Sequence, residues 1–366
     1  MKGRLIYLAT INLKSNKAQS IQVLQVVKSL NRFCKTRKII FNAFSYYRVP
    51  DSYDSLFNVF GKRYQSNRFI LNLKMIYFLI ISGNLRKSDM YYSRDLLTLL
   101  ILSLLGFKSL YEFHHPAPFL NTLIFSIYTK LPNTKLITIS NALKSSVIKN
   151  LKINPEKIKV LHSCVDLNKY DDIKNKSYIR NKLGFDNSKY YVLHTGSSYK
   201  GRGVEAFIEL CKVSSDIFFI HIGGTEKELL SLKILAKEKG IKNFKLIPTL
   251  PQINIIEYQI AADLLFYIIT EKWPTYWCCS PMKIPEYMAS NTPILASSIG
   301  SVCEILDDKN AFLYNLGGNN MIKSFKEAKS NPELAKKKAL YARKKVESKY
   351  TWDIRAKSLL DFIENN

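Results

Sequence analysis

A glycine-bearing turn between a strand pattern and a helix pattern is the first feature of this sequence that could do chemistry. Tyr191–His194 predicts a strand and Val204–Leu210 predicts a helix. Glycines let a backbone approach a ligand closely, and the start of a helix offers unpaired N–H groups, so the turn suits a phosphate or pyrophosphate. Its spacing is neither a Walker loop nor GxGxxG, and a solvated basic turn is an equal alternative. The candidate phosphate-binding residues are Gly196, Ser197, Lys200, Gly201 and Arg202.

A second group of candidate residues lies within Ser280–Ala296. Proline is tolerated only in the first turn of a helix, so Pro285 predicts a helix that begins close to it. Lys283 and Glu286 then stand at the opening of this helix. The two carboxylate oxygens of Glu286 could bind the paired hydroxyls of a ribose. A glutamate that only complements the helix dipole is the alternative, and these residues in isolation favour it.

Strand and helix patterns alternate twice along the chain and predict the elements that position these residues. The predicted strands are Leu5–Ala9, Lys38–Phe44, Met90–Tyr92, Ser109–Phe113, Leu136–Ile139 and Lys159–His162, then Tyr191–His194, Ile217–Ile222, Lys245–Pro248, Leu264–Tyr267 and Ile294–Ala296. Helical patterns such as Ile21–Leu30 lie between them, and Val346–Ile363 predicts one amphipathic helix. The fold class is therefore α/β, with two parallel-sheet domains that bind ligands beyond the carboxyl ends of their strands. The polar stretch Asp166–Asp186 predicts the boundary.

Length and composition set the broad class. The chain has 366 residues, of which 47% are apolar and 23% charged, and this balance predicts about two globular domains rather than disorder. No apolar run approaches the roughly 20 residues of a membrane span, and the N-terminus is predicted to be a strand rather than a secretory signal. The six cysteines lack metal-ligand or CxxC spacing, which predicts neither zinc nor a disulfide framework and fits a reducing compartment.

Positive charge is concentrated in the first half. Residues 1–150 contain 22 Lys and Arg against 5 Asp and Glu, a net charge of +17, whereas the remaining residues contain 33 against 24, a net of +9. This asymmetry predicts an anionic partner: nucleic acid, a phosphorylated substrate or lipid headgroups. Aromatic and basic residues interleave at Tyr46–Arg48, Lys62–Tyr64 and Arg68, which would suit anionic lipid headgroups or the phosphates of an acceptor.

Taken in order, these motifs resemble the signature of GT-B glycosyltransferases, specifically the retaining family 4 type. That family has a TGSxYxGKG turn and a later SPxKxxEYMAxxxPIxAS segment, and Thr195–Gly203 and Ser280–Ser297 are similar to them. Seven further segments resemble the family's in the same order: Tyr92–Asp95, Tyr111–His114, Ile139–Lys144, Val165–Leu167, His221–Glu226, Ala261–Leu265 and Tyr350–Trp352.

The resemblance implies a domain organisation. Two Rossmann-like domains would face a cleft, with residues 1–168 binding the acceptor and residues 169–345 binding the nucleotide sugar. Residues 346–366 would form a C-terminal helix that crosses back to the first domain.

The resemblance also implies residue roles. Arg202, at the family's usual lysine position, would neutralise the donor's diphosphate with its forked guanidinium, and Lys283 would assist it. Glu286 would bind the nucleotide ribose. His114 would hydrogen-bond a donor hydroxyl and the developing charge, with the adjacent His115 as the alternative. The donor-sugar region would comprise Cys278, Cys279, Ser280, Pro281 and Met282.

Three positions depart from the family pattern. Cys278 stands eight residues before Glu286, where many members have a glutamate that contacts the donor sugar. Ser197 stands where many have arginine, and Thr10–Lys17 lacks the glycines often found there. These departures keep two alternatives open: a nucleotide-sugar epimerase and a catalytically silent GT-B partner subunit. A nucleic-acid-binding protein is a distant alternative, because the sequence has no recognisable nucleic-acid-binding motif.

The implied activity is transfer of a sugar from a nucleotide diphosphate sugar to a glycan or lipid-linked acceptor with retention of anomeric configuration. Bacterial cell-surface polysaccharide or lipopolysaccharide synthesis would be its setting. No cofactor and no metal are expected, because side-chain cations and amides would stabilise the leaving diphosphate. We expect a cytoplasmic protein that binds the inner face of the plasma membrane peripherally through its basic first domain, without a nucleic-acid partner.

Overall fold

The computed structural model describes residues 3–15, 18–61, 67–114, 119–172, 175–199, 201–213 and 216–365 and, for residues 119–121, the backbone only. The chain divides into two compact units. The first contains Met1–Ser163 and Trp352–Asn366, and the second contains Cys164–Thr351.

The first unit is built on a parallel sheet. Its strands in the described residues are β1 (Leu5–Ala9), β2 (Phe41–Ser45), β3 (Asn58–Val59), β4 (Met90–Ser93), β5 (Lys108–Phe113), β6 (Thr134–Thr138) and β7 (Ile158–Val160). They pair in the order β3-β2-β1-β4-β5-β6-β7. The helices that precede the second unit are α1 (Ala18–Thr36), α2 (Arg68–Ile81), α3 (Leu96–Leu104), α4 (Phe119–Lys130) and α5 (Asn141–Leu151). All residues of β1 and β4 are buried, as expected for parallel strands covered on both faces.

The second unit repeats the plan. Its strands are β8 (Tyr190–Thr195), β9 (Ile217–Ile222), β10 (Phe244–Ile247), β11 (Leu264–Tyr267), β12 (Ile294–Ser297) and β13 (Phe312–Tyr314), paired in the order β10-β9-β8-β11-β12-β13. Its helices are α6 (Asn168–Asp171), α7 (Lys176–Lys182), α8 (Glu205–Cys211), α9 (Glu226–Glu238), α10 (Gln252–Ala261), α11 (Lys283–Ala289), α12 (Asn320–Ser330) and α13 (Pro332–Lys349).

Short 3₁₀ helices occur in both units, at Asp51–Leu56, Pro155–Lys157 and Gly300–Glu304. None of the helices in the described residues is both long and apolar enough to cross a bilayer.

The C-terminal segment is two helices, so the single helix predicted over Val346–Ile363 is wrong. Helix α13 ends at Lys349, and α14 spans Trp352–Glu364 in the first unit. Between them, Thr351 bridges to Val165 in parallel fashion, and the Val165 amide donates to the Tyr350 carbonyl at 2.9 Å. These two residues bond to Val165 instead of continuing the helix. Side-chain periodicity does not reveal such a break.

A buried carboxylate anchors α14 to the first sheet. Glu112 on β5 accepts from Arg355 of α14 at 3.0 Å and from the Tyr92 hydroxyl. Although burial opposes its ionisation, the charge of Arg355 and a hydrogen bond from His114 hold the pKa of Glu112 well below its ordinary range. This pair joins the end of the chain to the strand that carries His114.

The strand predictions differ from the structure mainly at strand ends. The strand predicted from Lys38 begins at Phe41, because Lys38 has a left-handed backbone with φ of 56°. Two short strands were not predicted, Asn58–Val59 and Phe312–Tyr314. Each is only two or three residues long, too short for an alternating pattern to appear.

Candidate functional site

The glycine-bearing turn follows β8, at the switch point of the second sheet. β8 pairs with β9 on one side and with β11 on the other, so the chain leaves the centre of the sheet in opposite directions here. Open α/β sheets bind ligands beyond the strand ends at such a point. The Gly196 amide donates to the Ile222 carbonyl at 2.8 Å, and α8 follows the turn. The predicted strand, turn and helix are confirmed.

Two glycines let the turn pack against its surroundings. Gly196 has φ of 107°, and a Cβ placed on it would lie 2.9 Å from Lys283 Nζ. Gly223, which follows β9, has φ of 119°, and its Cβ would lie 2.7 Å from the Gly196 carbonyl oxygen. Neither position accommodates an L side chain without strain. An ammonium group therefore lies directly against the backbone of the turn.

Lys283 is the first residue of α11, and its ammonium is removed from water. Burial and the nearby charge of Arg202 lower the pKa of Lys283 to about 7, against an opposing effect from Glu286. Nζ lies 3.4 Å from His194 Nε2 and 5.5 Å from the centroid of the Tyr267 ring. These contacts fix the position of the ammonium without neutralising its charge.

Arg202 supplies a second positive charge to the same site. Its guanidinium carbon lies 4.0 Å from the centroid of the Trp273 ring, in cation–π contact. Its Nε is buried and has no hydrogen-bond partner among the described residues. Neither Arg202 nor Lys283 forms an ion pair with a carboxylate in the described part of the chain. Arg202 thus has a buried donor without a partner, and it lies close enough to Lys283 to lower the pKa of the lysine. This is an environment in which an anion binds.

Glu286 lies on the same short helix. Pro285, the third residue of α11, confirms that this helix begins close to the proline. Glu286 Oε1 accepts from Gln252 Nε2 at 3.2 Å, and Gln252 Oε1 accepts from Lys169 Nζ at 2.6 Å. Burial raises the pKa of Glu286 to about 7. The carboxyl is thus held by one amide and retains acceptor capacity for further hydroxyl groups.

The remaining turn residues are held by neighbours. The Ser198 amide and hydroxyl both donate to Glu228 Oε2, at 3.0 and 3.2 Å, and the Gly201 carbonyl accepts from Thr270 Oγ1 at 2.7 Å. Ser197 is partly exposed. Lys200 lies outside the described residues. Contacts with α9 and with the segment after β11 therefore fix both ends of the turn.

The predicted donor-sugar region combines buried and partly exposed residues. Cys278 is completely buried, and burial raises the pKa of its thiol to about 12, so it is neutral. Burial also raises the pKa of Cys279, which is partly exposed and lies in the field of Arg202. Ser280 is buried, whereas Pro281 and Met282 are partly exposed. The position eight residues before Glu286 thus offers no charge to a sugar.

His114 lies in the first unit, just after β5. Its Nε2 donates to Glu112 Oε1 at 2.6 Å. Burial and the charge of Arg94 lower the pKa of His114 to about 4, so the ring is neutral near pH 7. Because Nε2 carries the proton, Nδ1 has a lone pair that can accept a hydroxyl proton. The neighbouring His115 lies outside the described residues.

The structure brings together Gly196, Arg202, Lys283 and Glu286 in the second unit. Sequence analysis missed several residues that hold them: His194, His221, Glu228, Gln252 and Trp273. The two histidines offered the clearest signal, because each lies near the end of a predicted strand and shortly before a glycine turn. No cluster of three His, Cys, Asp or Glu side chains suited to a metal ion occurs among the described residues.

One protein family matches the part of the chain that contains these residues. Residues 175–345 match the family described as glycosyl transferases group 1. The matched segment contains the turn after β8 and all of α11. It lies within the second unit and contains strands β8 to β13.

Two curated relatives match about half of the chain. The O-antigen chain mannosyltransferase RfbU of Salmonella typhimurium is 26% identical over 198 residues, 53% of this chain and 51% of its own length. The UDP-Gal:alpha-D-GlcNAc-diphosphoundecaprenol alpha-1,3-galactosyltransferase of Escherichia coli is 26% identical over 207 residues, 54% of this chain and 51% of its own length. The chain thus spans about half the length of the curated relatives that it matches.

A solved structure matches over the whole chain. The glycosyltransferase of Rickettsia africae superposes with a TM-score of 0.79 at 16% identity, covering 100% of both chains. The α/β fold expected from the sequence, with two parallel-sheet Rossmann-like domains of the GT-B class, is confirmed.

Glu286→Gln tests whether the site carries a desolvated carboxylate. The pKa of Glu286 is about 7 in the folded chain and 4.5 ordinarily, so the folded state keeps a proton that the unfolded chain releases between these values. The contribution of Glu286 to folding stability is therefore favourable at low pH and is lost as the pH rises through about 7. We expect the variant to match the parent at pH 4.5 and to be more stable by about 2 kcal/mol at pH 8.

The measurement is the difference in calorimetric melting temperature between variant and parent at each pH, without ligand. Glu333→Gln, at an exposed glutamate on α13, is the matched control and should give the same difference at every pH. A Glu286→Gln difference that does not change between pH 4.5 and pH 8 would contradict this description of the carboxyl.

Proposed function

We propose that the chain is a retaining glycosyltransferase that transfers a sugar from a nucleoside diphosphate donor to a glycan or lipid-linked acceptor. The observation that carries this proposal is the convergence of Arg202 and Lys283 on the glycine turn at the sheet switch point. The family match of residues 175–345 supports the reaction class. The two curated relatives, whose names refer to O-antigen and diphosphoundecaprenol, support a role in bacterial cell-surface polysaccharide or lipopolysaccharide synthesis.

The two cations would act on the leaving group. When the bond between the sugar and the diphosphate breaks, negative charge grows on the diphosphate, and the sugar becomes an oxocarbenium-like cation. Arg202 can offer two N–H groups to phosphate oxygens, and Lys283 adds a compact ammonium against the turn. Because Trp273 holds the Arg202 guanidinium and His194 holds the Lys283 ammonium, little reorganisation is needed when the charge develops. We propose that these side chains do this without a metal ion or other cofactor.

Glu286 would bind the nucleotide ribose. An ionised carboxylate accepts hydrogen bonds from two adjacent hydroxyls, and Gln252 occupies only part of its acceptor capacity. Two hydroxyl donors would also favour the ionised form and offset the burial that raises its pKa.

His114, which lies in the first unit, would interact with hydroxyl groups of the reacting sugar. Glu112 fixes its tautomer, so Nδ1 is the acceptor. A neutral ring in this state can accept a hydrogen bond from a hydroxyl and orient it. Arg355 keeps Glu112 ionised, so the C-terminal helix contributes to the tautomer of His114.

A nucleotide-sugar epimerase or a catalytically silent partner subunit is the second candidate, because of Cys278. A completely buried neutral thiol replaces the carboxylate that would contact the donor sugar. A chain that holds the diphosphate but positions the sugar poorly would bind donors without transferring them.

The first unit also offers a surface suited to a membrane. Helix α2 is predominantly apolar. Leu71, Met75 and Leu79 are buried, yet its opposite face exposes six large apolar side chains. These residues, the apolar face of α2, are Phe69, Ile70, Leu73, Tyr77, Ile80 and Ile81. Exposed Arg68 and Lys74 lie on the same helix, and Arg48 is also exposed, whereas Lys62–Tyr64 lie outside the described residues.

We propose that the apolar face of α2 rests on the anionic inner surface of the plasma membrane. Apolar side chains flanked by cations are the composition that binds an interfacial lipid layer. The net charge of +17 over residues 1–150 would hold the unit against anionic headgroups. A protein at that surface would be placed to reach a lipid-linked acceptor.

The reaction is tested by incubating the protein with UDP-, GDP- and ADP-sugars, with and without a lipid-linked glycan acceptor. We expect release of nucleoside diphosphate that depends on the acceptor, and a product whose anomeric configuration, read by NMR, equals that of the donor. Arg202→Met should lower turnover about 100-fold, because one preorganised charge stabiliser is lost. Lys329→Met, which removes a cation from an exposed ion pair with Asp216, should leave it unchanged.

Three other results would overturn this assignment. Conversion of one nucleotide sugar into its epimer, without release of diphosphate, would identify the epimerase. Donor binding without any reaction across the panel would favour the silent subunit, and a protein that binds no nucleotide would remove both candidates.

Membrane binding is tested by co-sedimentation with vesicles of neutral or anionic lipid. We expect binding only to anionic vesicles, with a decline as salt rises. The double variant Tyr77→Glu/Ile81→Glu should reduce the bound fraction about tenfold, because two exposed apolar anchors become anions. The matched control is Leu230→Glu/Ile234→Glu on α9, which also replaces two exposed apolar residues. Equal binding by both double variants, or binding indifferent to lipid charge, would contradict the proposal.

A further inference from the structure

Two buried histidines lie behind the phosphate turn. His194 on β8 and His221 on β9 are directly opposite each other in the register of the two strands, and their rings stack with centroids 5.0 Å apart. Their exposed fractions are 1% and 0%. The mechanism above uses neither ring, and a sheet core has no general need for two imidazoles side by side.

Their hydrogen bonds form a chain that ends at Lys283. His221 Nε2 lies 3.0 Å from the Gly223 carbonyl oxygen. The Nδ1 atoms of the two rings are 2.8 Å apart, and His194 Nε2 lies 3.4 Å from Lys283 Nζ. The chain therefore joins the glycine that packs on the turn to the ammonium that lies against it.

The direction of every bond in this chain follows from its ends. A carbonyl oxygen only accepts, so the proton of His221 is on Nε2, and its Nδ1 has a lone pair. His194 must then donate from Nδ1, which leaves the lone pair on its Nε2, facing an ammonium that only donates. Burial keeps both rings neutral, since it lowers the pKa of His194 well below its ordinary value and that of His221 to about 4.

We propose that His194 and His221 are positioning residues that aim the Lys283 ammonium at the donor's diphosphate. The inference rests on the proposed function, because it assigns Lys283 to that anion. The backbone of Gly223 sets the tautomer of His221, and the tautomer of His221 sets that of His194. His194 then presents an acceptor to Lys283. Without that acceptor, repulsion from the charge of Arg202 would move the Lys283 ammonium away from the backbone of the glycine turn.

A pair of variants at one position separates positioning from packing. In His194→Gln, the amide oxygen can occupy the place of Nε2 and accept from Lys283. In His194→Asn, the shorter side chain reaches only the place of Nδ1, beside His221. If His194 positions Lys283, the glutamine variant should keep most of the affinity for the anion. A structural role alone would not favour glutamine, because glutamine loses the bond to His221.

The probe is inorganic pyrophosphate, measured by calorimetric titration of the full chain so that the nucleobase does not matter. We expect His194→Asn to weaken binding five- to tenfold and His194→Gln to weaken it less than twofold. In a Lys283→Met background, which is itself weaker than the parent, the two His194 variants should bind equally, because positioning acts only through the lysine. Equal effects of Asn and Gln in the parent, or a difference that persists in Lys283→Met, would overturn the proposal.

A spectroscopic measurement keeps the test open if either variant fails to fold. In the ¹⁵N-histidine spectrum of the parent chain, His194 should have its proton on Nδ1 and His221 on Nε2. The opposite tautomer for His194 would overturn the proposal. A parent chain that shows these tautomers but does not bind pyrophosphate would instead contradict the proposed function, so the two failures are distinguishable.

Discussion

The proposed site depends on two basic side chains that the second unit holds near each other with little access to water. Lys283 and Arg202 have no ion-pair partner among the described carboxylates, and burial together with the nearby charge of Arg202 lowers the pKa of the lysine to about 7. Such an arrangement costs folding free energy and persists only where the surroundings enforce it. An anion with two or more charges would relieve it, so the site is more stable occupied than empty.

The surroundings that enforce this arrangement come from the sheet. The switch point between β8 and β11 is where open α/β sheets bind ligands, and Gly196 lets the turn backbone approach the lysine where any side chain would collide with it. Trp273 holds the guanidinium by one face. Glu228 holds the turn through Ser198, which leaves Ser197 toward solvent. Each contact belongs to a different element, so the whole unit must fold before the cations meet.

The sequence could predict the elements and the site residues that carry a pattern. Strand alternation, the glycine turn and Pro285 each report a local backbone requirement, and they correctly predicted the sheets and the start of α11. The supporting residues were out of reach because their roles depend on distant contacts. His194 and His221 stand before glycine turns, but their joint role appears only when β8 and β9 pair, and Trp273 acquires its role only beside Arg202. The break at Tyr350–Thr351 depends on Val165, almost 190 residues earlier, so periodicity predicted one helix there.

The most direct test of the central claim is the number of protons that the protein takes up when it binds UDP at pH 8, measured by calorimetry in buffers of different ionisation enthalpy. At this pH Glu286 and the phosphates are ionised before and after binding, whereas Lys283 is mostly neutral in the empty site. A diphosphate placed on Lys283 would restore its charge, so the account predicts uptake of about one proton per UDP, lost in Lys283→Met. Binding without proton uptake, or with the same uptake in Lys283→Met, would contradict it.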